Sequence, residues 1–331
     1  MHRFLLLILT ERTFQMYNFC TLFDSAYLIR GLAMYKSLSE HCSDFHLYML
    51  AFDELCYSTL KALEPANVTV IGLREFEDER LRGVKSSRTK GEYCWTCTSH
   101  AIRYVLDRYN LGEVTYLDAD LYFFGRPSVL LKEFERAGGS VLITEHRYTP
   151  GFDHADRAGI YCVQFITFRA DERGLAALEW WQDRCLEWCY ARYEDGKFGD
   201  QKYLDDWPER FSGIHVLQHV GGGVAPWNVQ RYALTKEDDG LKVDGKGLIF
   251  YHFHFFSCYT NGQYDLGMRN IPDAAIDLIY RPYIKALAEA KQQVRRVDGN
   301  FACGEVEKYK DWTYPFRFIN RRLRGYYHVI R

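Results

Sequence analysis

Two periods of apolar residues alternate along the first part of the chain. YNFCTLF (17–23), DFHLYMLAF (44–52) and VTVIGL (68–73) are short, nearly continuous apolar runs of strand length. Between the first two, Leu28, Leu32, Tyr35 and Leu38 of SAYLIRGLAMYKSLSEH recur at helical spacing. DELCYSTLKAL gives a second helix with Asp53 as its cap, WTCTSHAIRYVLDRY a third, and EVTYLDAD the strand that follows it. Strand alternating with helix predicts an α/β fold, a mostly parallel central sheet covered by helices.

The second half is less regular. SVLITEH and YCVQFITFR predict strands, a Trp-rich helix runs from Leu175 to Tyr193, and EDGKFGDQKYLDDW reads as a polar loop. Predicted strands GIHVLQHV and LIFYHFHFF bracket a glycine-rich GGGVAPWN. No internal repeat or low-complexity linker is present. The organisation expected is an N-terminal extension (1–16), an α/β domain (17–270) and a mainly helical, basic C-terminal extension (271–331).

Composition narrows the partners. In 331 residues, 47% hydrophobic content supplies a core for a soluble globule, and a net charge of −2 gives no reason to expect nucleic acid. Charge is uneven, however: from Arg281 onward there are twelve Lys/Arg against five Asp/Glu. There YPFRFINRRLRGYYHVIR interleaves Arg317, Arg321, Arg322 and Arg324 with Phe316, Phe318, Ile319 and Leu323. That mixture suits peripheral contact with an anionic membrane surface, or packing on the acidic body of the same protein. Aromatic residues, 16% of the chain, suit stacking on sugars or bases as well as core packing.

The ten cysteines lack the close framework spacing of a disulfide-stapled protein, which points to a reducing cytoplasm. Cys94-x-x-Cys97 and Cys185/Cys189 formally offer a zinc set, but the second pair reads as a buried helix face. The opening FLLLILT is too short to span a bilayer and lacks a cleavage site. A cytoplasmic protein is expected, with membrane contact at the inner face through its tail.

The chemistry concentrates in EVTYLDADLYFF, where an apolar strand ends in Asp118 and Asp120. Carboxylates at i and i+2 of extended backbone project to one side and repel, so a positive partner is expected between them. Hard cations such as Mg²⁺ and Mn²⁺ take oxygen ligands from one or two carboxylates plus substrate phosphates, which makes a diphosphate the natural companion. Asp24 falls at the end of the first strand, where ligands of open α/β sheets bind. It is also a candidate helix N-cap. His252 and His254 of YHFHFF share one face by period two.

With these residues, and with LYFFGRPSVLL after the acids, the chain resembles the nucleotide-diphospho-sugar transferases of the GT-A fold over about residues 17–258. The likeness is to retaining bacterial lipopolysaccharide galactosyltransferases and glycogenin, the family 8-like enzymes. It implies transfer of a hexose from a nucleotide-sugar donor, a UDP-sugar foremost, to a hydroxyl of a glycan or lipid-linked acceptor. It implies an Mn²⁺ or Mg²⁺ cofactor held by Asp118, Asp120 and a histidine, with His252 preferred to His254.

The same resemblance puts Asp24 and Tyr27 at the nucleoside, and Lys90, Trp95, Ser99 and Arg103, from the segment before the acidic strand, at the nucleotide-sugar. Asp200 and Gln201 of KFGDQKYLDDW would lie beneath the transferred sugar as catalytic groups, and Asn228 of GGGVAPWN near donor or acceptor. The glycines of that loop would let backbone approach substrate closely. The family's glycine and lysine after the histidine are absent, which leaves open what neutralises the diphosphate. Retention follows from the resemblance only, since Asp205 or Asp206 could act as base in an inverting reaction. Two other readings stand beside this one. A sugar-1-phosphate nucleotidyltransferase would carry a glycine-rich basic signature that FDSAYLIRG lacks, and a non-catalytic sugar-binding protein could share the fold.

Overall fold

In β1 (Tyr17–Phe23), Phe19 and Phe23 enter one buried apolar cluster while Cys20 and Leu22 enter another. The split recurs in β2 (Phe45–Ala51), with Leu47 and Met49 on one side and Tyr48 and Leu50 on the other. A sheet buried on both faces explains why its strands read as continuous apolar runs. The computed structural model describes residues 16–331 except 152, 268 and 309–311. The predicted N-terminal extension, Met16 apart, lies outside the described residues.

Chain order continues through α1 (Leu28–His41), α2 (Glu54–Leu63), β3 (Val68–Gly72), the short α3 (Leu73–Phe76) and α4 (Glu79–Lys85), and the long α5 (Lys90–Tyr109). Then come β4 (Glu113–Leu117), β5 (Leu121–Phe123), α6 (Ser128–Ala137), β6 (Val141–Glu145), α7 (Ala155–Ala158) and β7 (Tyr161–Arg169). After α8 (Glu172–Glu187) and α9 (Trp207–Arg210), β8 (Ile214–Val216) closes a seven-stranded sheet of order β3-β2-β1-β4-β7-β6-β8. Only β7 runs against its neighbours in that sheet. β1 and β4 are adjacent while the chain proceeds outward from each in opposite directions, so a crevice opens beyond their carboxyl ends.

α1 and α2 cover one face with the first cluster, and α5 and α8 cover the other with the second. Local chemistry sets several boundaries. Asp53 caps α2 through Cys56 N–H (2.8 Å), and its other oxygen accepts Ser25 N–H (3.0 Å) and Oγ–H (2.8 Å), tying the β1–α1 turn to α2. α5 starts at Lys90 rather than at Trp95, because Thr89 and Glu92 form a capping box. Asp24 does not cap α1. Its carboxylate accepts Ala26 N–H (3.0 Å) in the preceding turn, and Tyr27 occupies the N-cap position. α8 stops at Glu187, short of the predicted Tyr193, so Cys185 and Cys189 are not one helix face.

β9 (Leu234–Glu237), β10 (Gly240–Val243) and β11 (Lys246–Gly247) form a small ribbon, and β12 (Phe250–His252) pairs with β5. β13 (Ser257–Tyr259) and β14 (Tyr264–Asp265) precede α10 (Asp273–Ala275) and α11 (Arg281–Val297), followed by β15 (Glu305–Val306), α12 (Tyr314–Leu323) and β16 (Val329–Ile330). The segment after residue 270 packs on the α/β domain. Tyr283, Ala286 and Leu287 of α11 join the cluster beneath α1, while β15 and β16 pair with β13 and β14. Arg321 of α12 turns inward to a bidentate pair with Asp265 (2.6 Å for each bond). Among the described residues, no helix is long and apolar enough to cross a membrane.

Candidate active site

β4 ends at Leu117, and Leu121 N–H donates to Asp118 O (3.2 Å), so Asp118-Ala119-Asp120 is a turn rather than the extended strand end expected. Its carboxylates converge by long-range pairing instead. β5 and β12 run antiparallel with Leu121 opposite His252, and Phe253 N–H donates to Asp120 O (3.0 Å). His252 Nε2 thereby lies 3.1 Å from Asp120 Oδ1 and 3.7 Å from Asp118 Oδ2. One ligand atom from each of the three residues lies within 4.8 Å of the others, the one cluster among the described residues able to hold a metal ion. The four cysteines considered for zinc are free thiols outside any such cluster.

The strand carrying His252 stops there. His254 lies in the next turn, with its ring still on the same side, 5.6 Å from that of His252 and with Trp227 against both. Burial pushes its imidazole down to about 4, and the neighbouring His252 charge pushes the same way. The two acids are unequal. Burial raises Asp118 and the His252 charge only partly reverses this, leaving it at about 6, whereas at Asp120 the charge and hydrogen bond of His252 outweigh burial and bring it to about 2. His252 itself is buried, yet Asp120 facing it holds it well above the ordinary histidine range. Asp118 keeps 28% of its side chain exposed, against 12% for Asp120, and so forms the site's opening to solvent.

Asp200 is buried near this cluster. Burial, then the Asp118 charge, push its carboxyl up to about 8, and its backbone oxygen accepts the Trp181 indole N–H (2.9 Å). Gln201 donates its amide N–H to Ala158 O (2.6 Å). Trp95 packs on the two residues before Asp200: its ring lies 6.4 Å from Phe198, and a β-carbon on Gly199 would sit 3.4 Å from it. Tyr27 is exposed at the crevice, near enough for the Asp120 and Asp118 charges, after burial, to push its hydroxyl up to about 12. Asp24 is half-buried at the end of β1, and Lys90 opens α5 on the surface.

Other candidates are not brought in. Ser99 is fully buried beside Cys185 of α8, and Arg103 pairs with Asp107 (2.6 Å) on the outer side of α5. Periodicity identifies residues sharing a face, but the face that reaches Asp200 carries Trp95 and Thr98. Asn228 is a buried brace, not an open sugar contact. Its Oδ1 accepts Ala225 N–H (2.9 Å), and its Nδ2 donates to His146 O (2.8 Å) and Gly223 O (2.9 Å). The loop glycines admit protein rather than substrate: a β-carbon on Gly221 would sit 1.9 Å from Gly247 O. Asp205 accepts Ile160 N–H (2.7 Å) and pairs with Lys202 (2.7 Å), while Asp206 pairs with Arg210.

Three functional candidates went unmarked in sequence reasoning. Thr98, whose hydroxyl donates to Cys94 O (3.3 Å), lies near enough to Asp200 to favour its charged form. Gln164 meets His252 Nδ1 at 2.8 Å. Arg30, only 9% exposed, donates to Ala26 O (3.3 Å) and Phe256 O (3.1 Å), and its charge acts on Asp120. The signal available for the last two was one polar residue inside an apolar run, LIRGLAM and YCVQFITF.

The sheet order, the acidic turn after β4 and the histidine facing it define a GT-A fold, the fold of nucleotide-sugar glycosyltransferases. The structure of galactosyltransferase LgtC in complex with donor and acceptor sugar analogs superposes with a TM-score of 0.51 at 12% identity, covering 82% of this chain and 95% of that one. In sequence, the chain is 33% identical over 299 residues to the uncharacterized protein YfnD of Bacillus subtilis (strain 168), covering 88% of this chain and 96% of YfnD. It belongs to the YfnD family. YfnF of the same organism is 32% identical over 244 residues, covering 71% of this chain and 80% of YfnF. No protein-family model matches the chain.

Proposed function

We propose that this chain is a metal-dependent glycosyltransferase that moves a hexosyl group from a nucleotide diphosphate sugar, a UDP-sugar foremost, to a hydroxyl of a glycan or lipid-linked acceptor. The observation that carries this reading is the convergence of Asp118, Asp120 and His252 in the crevice beyond β1 and β4. Two carboxylate oxygens and an imidazole nitrogen suit Mn²⁺ or Mg²⁺, with the remaining positions left for diphosphate oxygens and water. Bound there, the ion would neutralise charge developing on the leaving diphosphate.

The protein's own groups divide the remaining work. Asp24 and Tyr27 flank the nucleoside end of the crevice, with Lys90 at its rim. Asp200, held protonated near neutral pH, donates a hydrogen bond to a sugar hydroxyl, while the Gln201 amide oxygen accepts one. Trp95 shields this pocket from water. Asp205 and Asp206, the two carboxylates that could serve an inverting reaction as base, are committed to other partners, which favours retention. On the outer side of α12, exposed Phe316, Ile319 and Leu323 form a row beside Arg322 and Arg324. That row supports docking at the inner face of a membrane, where a lipid-linked acceptor would be presented.

The test is release of free nucleoside diphosphate from a panel of nucleotide sugars with Mn²⁺. Wild type is expected to turn over at least one donor, and Asp120→Asn to lose both Mn²⁺ binding and turnover. Pyrophosphate release would identify a nucleotidyltransferase, and binding without turnover a non-catalytic sugar-binding protein.

A further inference from the structure

We infer that Gln164 is a positioning residue of the metal site, whose side-chain oxygen selects the imidazole tautomer that allows His252 to bind a cation. This rests on the reading of Asp118, Asp120 and His252 as a metal site.

Gln164 lies in the middle of β7, fully buried, and grips the site twice. Its backbone oxygen accepts Asp118 N–H (3.0 Å), and its side-chain Oε1 lies 2.8 Å from His252 Nδ1. An amide oxygen only accepts, so Nδ1 must carry the hydrogen. In a neutral ring this leaves the lone pair on Nε2, the atom that faces Asp118 Oδ2 and Asp120 Oδ1. That lone pair takes either a proton, which makes the ring a charged partner of the carboxylates, or a cation lying between them, which makes the three residues a ligand set. With the amide reversed, its nitrogen would donate to Nδ1. The ring would then be held neutral with an Nε2–H toward the carboxylates, a hydrogen-bond donor with nothing to offer a metal. The orientation of one buried amide therefore decides whether Nε2 can be offered to a cation at all.

Two features fit a residue kept for this purpose. Gln164 Nε2 is buried without a hydrogen-bond partner, a cost of about 1–3 kcal/mol that an apolar side chain would avoid. The space that the nitrogen fills is opened by Gly223, at φ +94°: a β-carbon there would sit 3.2 Å from Gln164 Nε2 and 2.7 Å from Thr144 Cγ2. The glycine-rich loop, which the sequence reading assigned to substrate, is in this account shaped around the amide that orients the metal ligand. Hydrogen bonds behind ligating histidines typically matter by about 10–100-fold in metal affinity.

The experiment is Mn²⁺ titration of the full chain, with the metal alone as probe, read from the electron paramagnetic resonance of free Mn²⁺ and accompanied by thermal melts. Wild type should bind and Asp120→Asn should not; wild type failing to bind would remove the metal-site reading itself. Given binding by wild type, Gln164→Leu should lose about 10–100-fold in affinity. Gln164→Glu, which keeps the acceptor oxygen, should bind at least as tightly as wild type. Leucine binding like wild type, or glutamate as weakly as leucine, overturns the inference. A readout independent of folding defects uses wild type loaded with diamagnetic Mg²⁺. Nitrogen–proton correlation spectra should show His252 protonated at Nδ1 and bare at Nε2, and the reverse tautomer overturns the inference.

Discussion

Asp200 carries a titration that can be followed without substrate. Its carboxyl would ionise at 3.8 in the unfolded chain and at about 8 in the fold, chiefly because burial penalises the charged form. Between those values the folded state holds a proton that the unfolded state has released, so this group's contribution to stability falls as pH rises from about 4 to about 8. Asparagine holds no such proton. The melting temperature of Asp200→Asn should therefore gain on wild type as pH is raised through that window, by several degrees at its upper end. Parallel melting curves across the window would show that the carboxyl ionises normally. Stability given up at a site is also where activity is expected to suffer, so the same variant should be poorly active. At this scale the sequence was partly legible. Asp118 and Asp120 stood out because two acids closing an apolar run have no structural need of each other. Gln164 and Arg30 did not, because one polar residue in an apolar run does not announce which partner it meets.

At the scale of elements, the acidic turn depends on contacts far away in the chain. The strands and helices of the first half were legible because their periods are local, with Asp53 and its cap among them. The strand was expected to run through Asp120 because nothing in EVTYLDAD marks its end. The end is imposed by β12, more than a hundred residues later, pairing with β5 and holding Asp120 O. The two histidines do share a side, their rings 5.6 Å apart against Trp227, although the strand ends at His252 and Phe255, at φ +62°, turns the chain just beyond His254. Gly223 tests this long-range construction. Alanine there meets both a positive φ and the Thr144 methyl, which should cost about 1–3 kcal/mol by strain and overpacking. Gly223→Ala is expected to melt several degrees lower than wild type and to bind Mn²⁺ more weakly, by calorimetry and titration respectively. An unchanged melt would mean that β6, β7 and the loop adjust freely around position 223.

For the whole molecule, the unresolved choice in the sequence was whether the basic tail packs on the body or lies on a membrane, and the structure packs one of its arginines, Arg321, on the body. Arg321 is spent on Asp265, which is buried and would be left uncompensated without it, at about 3–5 kcal/mol. This pair and β16 build the tail into the body, so deleting it would damage the fold and give no clean test of docking. The outward row is separable: Phe316, Ile319 and Leu323 are 68%, 55% and 83% exposed, at spacing that puts them along one side of α12. Partial insertion of three such side chains, with about 1 kcal/mol from each arginine near anionic headgroups, suffices for reversible binding. Replacing all three by serine should leave the melt and Mn²⁺ affinity unchanged, because none of them is buried. It should abolish co-sedimentation with phosphatidylglycerol vesicles, which wild type should show at low salt and lose at high salt. Equal sedimentation of the two proteins, or none by wild type, would remove the membrane from this reading and leave α12 as a strut that fixes Asp265.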